Sequence, residues 1–291
     1  MREDAPRESA LIEAAPLVPA GRADQIGGAE RARRGAYRYR FGAIYFALAA
    51  IVGGAVGSSV VLMSRDGPPA AAQWSQWQPD GSETARTRQI ADHISQGYRH
   101  PSGEQLVFAI GGPPQINVPD QGLLLVPDIV VQPDTSRGQR EEGDFDRYPG
   151  DSAVAYRLCG TGQSCSIGEG TPSQERLQLL RREALELSLY TFKYGNDVDS
   201  VIVFLPPPPP AADGSQDTSG ALFLRRSDVS SELRRPLSTT LSGRPPLTVD
   251  NMPPGDRANV DRLTQPHIYS YAYQQSQNGS PVLVLAPSTA A

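Results

Sequence analysis

The hydrophobic pattern divides the chain before any single motif does. Phe41 to Met63 reads FGAIYFALAAIVGGAVGSSVVLM, twenty-three residues without a charge, set between Arg40 and the pair Arg65-Asp66. At about 1.5 Å of rise per residue, a helix of that length crosses a hydrocarbon layer of roughly 30 Å. The pattern therefore predicts a single transmembrane α-helix over residues 41–63. Residues 31–40 carry five arginines and no acid, whereas residues 64–80 carry one arginine and two aspartates. Cationic flanks stay on the cytoplasmic side, which puts the N-terminus inside and everything after the span outside. Ala70-Ala71-Ala72 offers a cleavable A-x-A site and Arg33-Arg34 hints at twin-arginine export. The apolar run is nevertheless too long and too deep in the chain for an ordinary signal peptide. The expected location is the cell membrane, with the lipid bilayer as first partner of an uncleaved single-pass anchor. Within the span, Ala49, Gly53 and Gly57 recur at spacing four; side chains this small predict a weak homodimer through the span.

Outside the span the periodicities are shorter. Residues 1–40 read as a disordered, arginine-rich cytoplasmic tail, with too little apolar surface to offset the entropy of ordering. Residues 64–81 read as a Pro/Gly/Ala linker holding Trp74 and Trp77, which either sit at the headgroups or cap a domain core. Ser82 caps a helix expected to run to Arg99, with Ala85, Ile90, Ile94 and Tyr98 as its apolar stripe. Strands are predicted over Gln105–Ile110, Gly122–Val131 (bent or at an edge because of Pro127) and Ala153–Cys159. Thr171-Pro172-Ser173-Gln174 reads as a T-x-x-Q capping box for a second helix closed by Gly195. Leu177, Leu180, Ala184, Leu187 and Thr191 make its apolar side, and Arg182 and Glu186 pair on its wet side.

Ser200–Leu205 is apolar throughout, the pattern of a strand buried on both faces. Pro206–Pro210 opens a stiff spacer over 206–220. A short strand at Ala221–Leu224 and a short helix at Asp228–Arg235 follow, and residues 236–266, with six prolines and no clean period, read as loop. Ile268–Tyr273 and Pro281–Ala286 flank Asn278-Gly279, the signature of a hairpin in which Tyr269, Tyr271 and Tyr273 share a face. The expected fold is a transmembrane helix plus an α+β extracytoplasmic domain, a mixed sheet with two main helices and a C-terminal β-hairpin. Its core spans 82–205, and residues 221–291 pack on that core.

Charge and cysteine content narrow the partners. Residues 64–291 carry 19 basic against 26 acidic residues, which argues against nucleic acid. Cys159 and Cys165 are the only cysteines, separated by five residues of which two are glycine. That loop curls far enough for a bridge, and a structural disulfide is expected in an oxidising compartment.

No motif carries chemistry. The three histidines, His93, His100 and His267, are scattered, and neither H-E-x-x-H nor C-x-x-C is present. The acidic runs Glu141, Glu142, Asp144, Asp146, Asp151 and Asn196-Asp197-Val198-Asp199 lack an EF-hand pattern. There is no G-x-S-x-G elbow, S-x-x-K or phosphate loop. No catalytic, cofactor-binding or metal-ligating residue is assigned, and no cofactor is expected. The leading expectation is a non-enzymatic domain that binds an envelope protein or polymer. An envelope hydrolase or transferase using dispersed Asp/Glu is the alternative, and a transmembrane transducer the third reading.

Overall fold

The computed structural model describes residues 42–54, 73–119, 121–132, 145–207 and 220–288. The chain divides into two compact units, Met1–Ala71 and Ala72–Ala291. The described part of the first is a helix, α1, residues 42–54, with Ile44, Tyr45, Phe46, Leu48, Ile51 and Val52 exposed. Here the expected membrane span is corrected: among the described residues, no helix is long and apolar enough to cross a membrane. The described part of α1 rises about 20 Å, against a hydrocarbon layer of roughly 30 Å. Ala49 and Gly53, two of the three residues expected to pack in the bilayer, lie on α1. Gly57, like the tail expected over residues 1–40, lies outside the described residues.

The second unit is an α+β domain with three helices rather than two: α2 (Glu83–Ser95), α3 (Gln174–Tyr194) and α4 (Pro254–Thr264). Its strands are β1 (Phe108–Gly112), β2 (Gln115–Val118), β3 (Gly122–Leu125), β4 (Asp128–Val131), β5 (Asp146–Pro149), β6 (Ala153–Cys159), β7 (Ser200–Phe204), β8 (Gly220–Arg225), β9 (Ile268–Gln275) and β10 (Pro281–Pro287). Eight form one mixed sheet in the order β1-β6-β7-β8-β9-β10-β4-β5; β2 and β3 make a separate hairpin. The parallel pairs are β6 with β7 and β10 with β4. A parallel pair needs a crossover, and α3 supplies it between β6 and β7. The run expected as one strand over Gly122–Val131 is two, β3 and β4, in different sheets. The break falls at Val126-Pro127, where proline has no N–H to give a ladder.

Both faces of the sheet are buried, by different means. On one face Val154, Tyr156, Leu158, Val201, Val203, Leu222 and Leu224 meet the buried sides of α2 and α3, with Val260 and Leu263 of α4 beyond. On the other, Ile202, Phe204, Ala221 and Phe223 meet Ile129, Val131, Leu283 and Leu285. The second group comes from β4 and β10, several strands away, so the sheet curls over itself. The rings of Tyr148 on β5 and Phe223 on β8 lie 5.2 Å apart across that curl. β7 is accordingly buried at every position, because its two sides feed two clusters.

Local signals explain the helices. Ser82 accepts a hydrogen bond from the Ala85 N–H, 3.3 Å, and caps α2. The cap of α3 is Ser173, which accepts from the Arg176 N–H, 3.1 Å, two residues beyond the Thr171 that the capping-box spacing picks out. Residues 73–80, expected as part of a free linker, pack instead. Trp74 is buried against Tyr190, its indole N–H donates to the Glu232 carbonyl, and Trp77 stacks on His93 at 3.9 Å.

Candidate functional site

The polar side chains that the fold draws together fall into two buried clusters and one open cleft. The first cluster hangs on α3. Arg182, expected on the wet side, is 1 % exposed. Its Nε donates to Asp256 Oδ2 at 2.9 Å, its Nη1 to Tyr98 Oη and to Glu186 Oε2 (3.1 Å), and its Nη2 to the Gly243 carbonyl at 3.1 Å. Asp256 also accepts from the Ser242 N–H (2.7 Å) and hydroxyl (2.8 Å) and from the Gly243 N–H (3.0 Å). Burial opposes the Asp256 charge, but these donors and Arg182 hold its carboxyl below the usual value. Every polar atom of the pair is met, and the network ties α3 to α4 and to the loop after Leu241. It closes on itself and offers nothing to a substrate.

Next to it, Glu183 is fully buried and neither carboxyl oxygen finds a partner among the described residues. Burial, with Glu186 adding to it, raises its pKa well above the ordinary carboxylate value. Burial therefore favours the neutral, protonated form of Glu183 in the native state. The second cluster centres on Glu232, 1 % exposed, which takes hydrogen bonds from Arg235, Thr240 and Arg262. Burial alone would raise its pKa, yet these donors bring it down to about 2. Both groups are structural.

The histidines do not converge. His93 lies against Trp77, His100 is buried at a shallow depression of ≈ 500 Å³ beside Arg99, Pro245 and Pro246, and His267 lies 4.0 Å from Asp228. Among the described residues no group of three His, Cys, Asp or Glu side chains is placed to hold a metal ion. Of the acidic run, Glu141, Glu142 and Asp144 lie outside the described residues. Cys159 and Cys165 are joined in a disulfide with a Cα–Cα distance of 4.3 Å. The turn between them is tight. A Cβ on Gly160 would stand 2.4 Å from the Ser166 carbonyl oxygen, so only glycine fits there. The bridge pins the end of β6 where Cys159 pairs with Phe108.

That pairing leads to the open cleft, ≈ 280 Å³, between the outer face of β1-β6-β7 and the β2–β3 hairpin. Its walls are Ile110, Leu123, Ala155 and Phe204, with Gln115 and Asn117 at the rim and the Arg157 side chain among them. Ile110 and Leu123, which line it, are 62 % and 65 % exposed, and Phe108 and Leu125, on the same strands β1 and β3, are 49 % and 64 % exposed. The Arg157 guanidinium stands 5.6 Å over the Phe204 ring and makes no ion pair or hydrogen bond among the described residues. Tyr273 lies close by. Burial raises its hydroxyl pKa and Arg157 pulls against that rise. Among the described residues, no carboxylate, histidine or cysteine lines the cleft. Comparison with protein families, curated proteins and solved structures returns no match.

Sequence reasoning did not single out Arg157, Leu123 or Phe204. One signal was available: Arg157 is the only charge in AVAYRLC, a strand otherwise fit for burial. The tyrosine row did draw notice; Tyr269, Tyr271 and Tyr273 are half-buried against the second core.

Proposed function

We propose that the second unit is a non-enzymatic binding domain whose ligand seat is the cleft between β1-β6-β7 and the β2–β3 hairpin. The ligand is an apolar polypeptide segment carrying a carboxylate. The observation that carries this reading is Arg157, a guanidinium stacked on an aromatic ring in an apolar cleft, without an acidic partner among the described residues. A cation so placed favours an anion that arrives with apolar neighbours, and charge-assisted hydrogen bonds to guanidinium are the stronger kind. The exposed apolar rim supports the same reading, since patches of this sort mark interaction sites. The described lining supports binding over catalysis, because among the described residues it carries no acid–base pair or nucleophile to work on a bound group. The disulfide supports an oxidising, extracytoplasmic setting for the domain.

Selection of displayed random nonapeptides against the purified full-length chain tests the proposal. Enriched peptides are expected to combine acidic with aliphatic or aromatic residues. Their affinity is expected to fall roughly tenfold with Arg157→Glu, the loss of about one charge-assisted contact, and to fall with Leu123→Asp. Peptides whose binding ignores both substitutions, or no enrichment at all, would overturn it.

A further inference from the structure

The two edges of the main sheet are built differently. β5 closes one edge with Asp146-Arg147-Tyr148-Pro149, a short strand with two charges and a proline, the ordinary protection against unwanted strand pairing. β1 closes the other with Phe108-Ala109-Ile110-Gly111-Gly112, which has no charge, no proline and no strand beside it among the described residues. Phe108 and Ile110 project from the outer face and are exposed, while Ala109 and Gly111 face the helix layer. A Cβ on Gly111 would meet Tyr156 at 2.5 Å and Thr87 at 2.8 Å, so the inner side of this edge is fully packed. Its outer side is bare.

The edge is also self-complementary. In an antiparallel pairing of β1 with itself about a two-fold axis through Ile110, Phe108 stands opposite Gly112, Ala109 opposite Gly111, and Ile110 opposite Ile110. This register pairs all five residues of both strands; a shift by two leaves two of them unpaired. It also sets the largest side chain against the emptiest position, since a Cβ on Gly112 would have nothing within 4 Å. An aromatic ring laid over a cross-strand glycine and an isoleucine against its own copy are both favourable cross-strand pairs.

We propose that the partner of this edge is a second copy of the chain, joined β1 to β1 in that register into a continuous sixteen-stranded sheet. The interface is isologous, as a two-fold axis requires. Gly112 lines the ligand cleft, so Phe108 of the second copy adds a wall to the cleft of the first. The pairing itself stands on β1 alone and does not depend on the ligand reading.

Sedimentation of the full-length chain over a range of concentrations is expected to show a reversible monomer–dimer equilibrium. Ile110→Lys places two like charges opposite each other at the axis and is expected to raise the dimer dissociation constant at least about tenfold. Because Ile110 is exposed, the circular dichroism spectrum should stay that of the parent. Register is read separately. Cysteines at directly opposed positions bring their Cβ atoms within bridging distance, so Ile110→Cys should cross-link to itself under mild oxidation. Phe108→Cys should cross-link to Gly112→Cys when the two chains are mixed, but not to itself. A chain that stays monomeric, a dimer indifferent to Ile110→Lys, or a failure of Ile110→Cys to cross-link would each overturn the pairing. Loss of peptide binding by Arg157→Glu with the dimer intact would leave the pairing standing, so the two proposals fail separately.

Discussion

Arg182 and Glu183 are sequence neighbours on α3, both buried, and they meet burial in opposite ways. Arg182 is charged and every donor it turns inward has an acceptor; Glu183 has no partner among the described residues, and burial favours its protonated form instead. Removing one member of a hydrogen-bonded buried pair strands the other, so Asp256→Ala is expected to cost about 3–5 kcal/mol. The double variant Arg182→Met with Asp256→Leu should cost clearly less than the sum of the two single changes, as read in urea titrations. Equal additivity would mean the pair is not coupled. For Glu183 the sign runs the other way. Its native pKa lies above the unfolded value near 4.5, so between the two values the native state binds the extra proton. Its contribution is fully present below about pH 4.5 and is lost as pH rises through the native value. Glu183→Leu, which replaces an unpartnered carboxyl by an apolar group, is therefore expected to stabilise the fold at pH 7 by about 1–3 kcal/mol and less at pH 4. A variant less stable than the parent at pH 7 would show that Glu183 has a partner in solution.

At the scale of elements, caps and cross-links separate what pattern alone can see from what needs the third dimension. The T-x-x-Q spacing located the start of α3 but named Thr171, whereas Ser173 makes the bond. Ser173→Ala is expected to cost about 1 kcal/mol and Thr171→Ala within about ±0.5 kcal/mol, measured by thermal unfolding. Equal effects would return the cap to Thr171. Reducing the Cys159–Cys165 bridge is expected to cost about 2 kcal/mol, the modest value of a short loop, with the sheet still formed. Loss of the whole fold on reduction would mean that the turn nucleates β1-β6 rather than steadies it. The strand at Ala153–Cys159 and the buried run at Ser200–Phe204 were legible because their composition matches their burial. Helix α4 was not. Pro254-Gly255 opens it, and its buried first turn is Asp256, a residue that only its pairing with Arg182 on another helix makes acceptable in a core. Gly111-Gly112 lay beyond the strand predicted to end at Ile110, yet β1 continues through them, with Gly111 closely packed against Tyr156 and Thr87. The apolar run Phe41–Met63 predicted a span, whereas among the described residues no helix is long and apolar enough to cross a membrane. The cleft was illegible for a further reason: Ile110, Leu123, Arg157 and Phe204 come from four elements and meet only once the sheet and hairpin are placed.

At the scale of the whole second unit, two hydrophobic clusters share one sheet, which decides how the domain comes apart. Leu179 lies in the cluster between helices and sheet, and Leu283 in the cluster enclosed by the curl. Two cores of this kind could unfold separately only if a boundary between them crossed few contacts. None exists, because β7 and β8 contribute alternate side chains to each. Val201 and Val203 feed one cluster while Ile202 and Phe204 feed the other, along the same five-residue strand. Losing either cluster removes the reason for β7 to be there. Leu179→Ala and Leu283→Ala are each expected to cost about 2–5 kcal/mol, the range for emptying a fully buried leucine site. More tellingly, each should move one and the same transition. Tryptophan fluorescence, which watches Trp74 and Trp77 on the helical side, and far-UV dichroism, which watches the sheet as well, should give coincident curves for the parent and both variants. The urea midpoint should fall at constant slope. A fluorescence curve that stays in place for Leu283→Ala while the dichroism curve shifts would show that the curl melts on its own. The proposed binding cleft, one wall of which is Phe204 of the curled face, would then sit on a part of the sheet that opens independently.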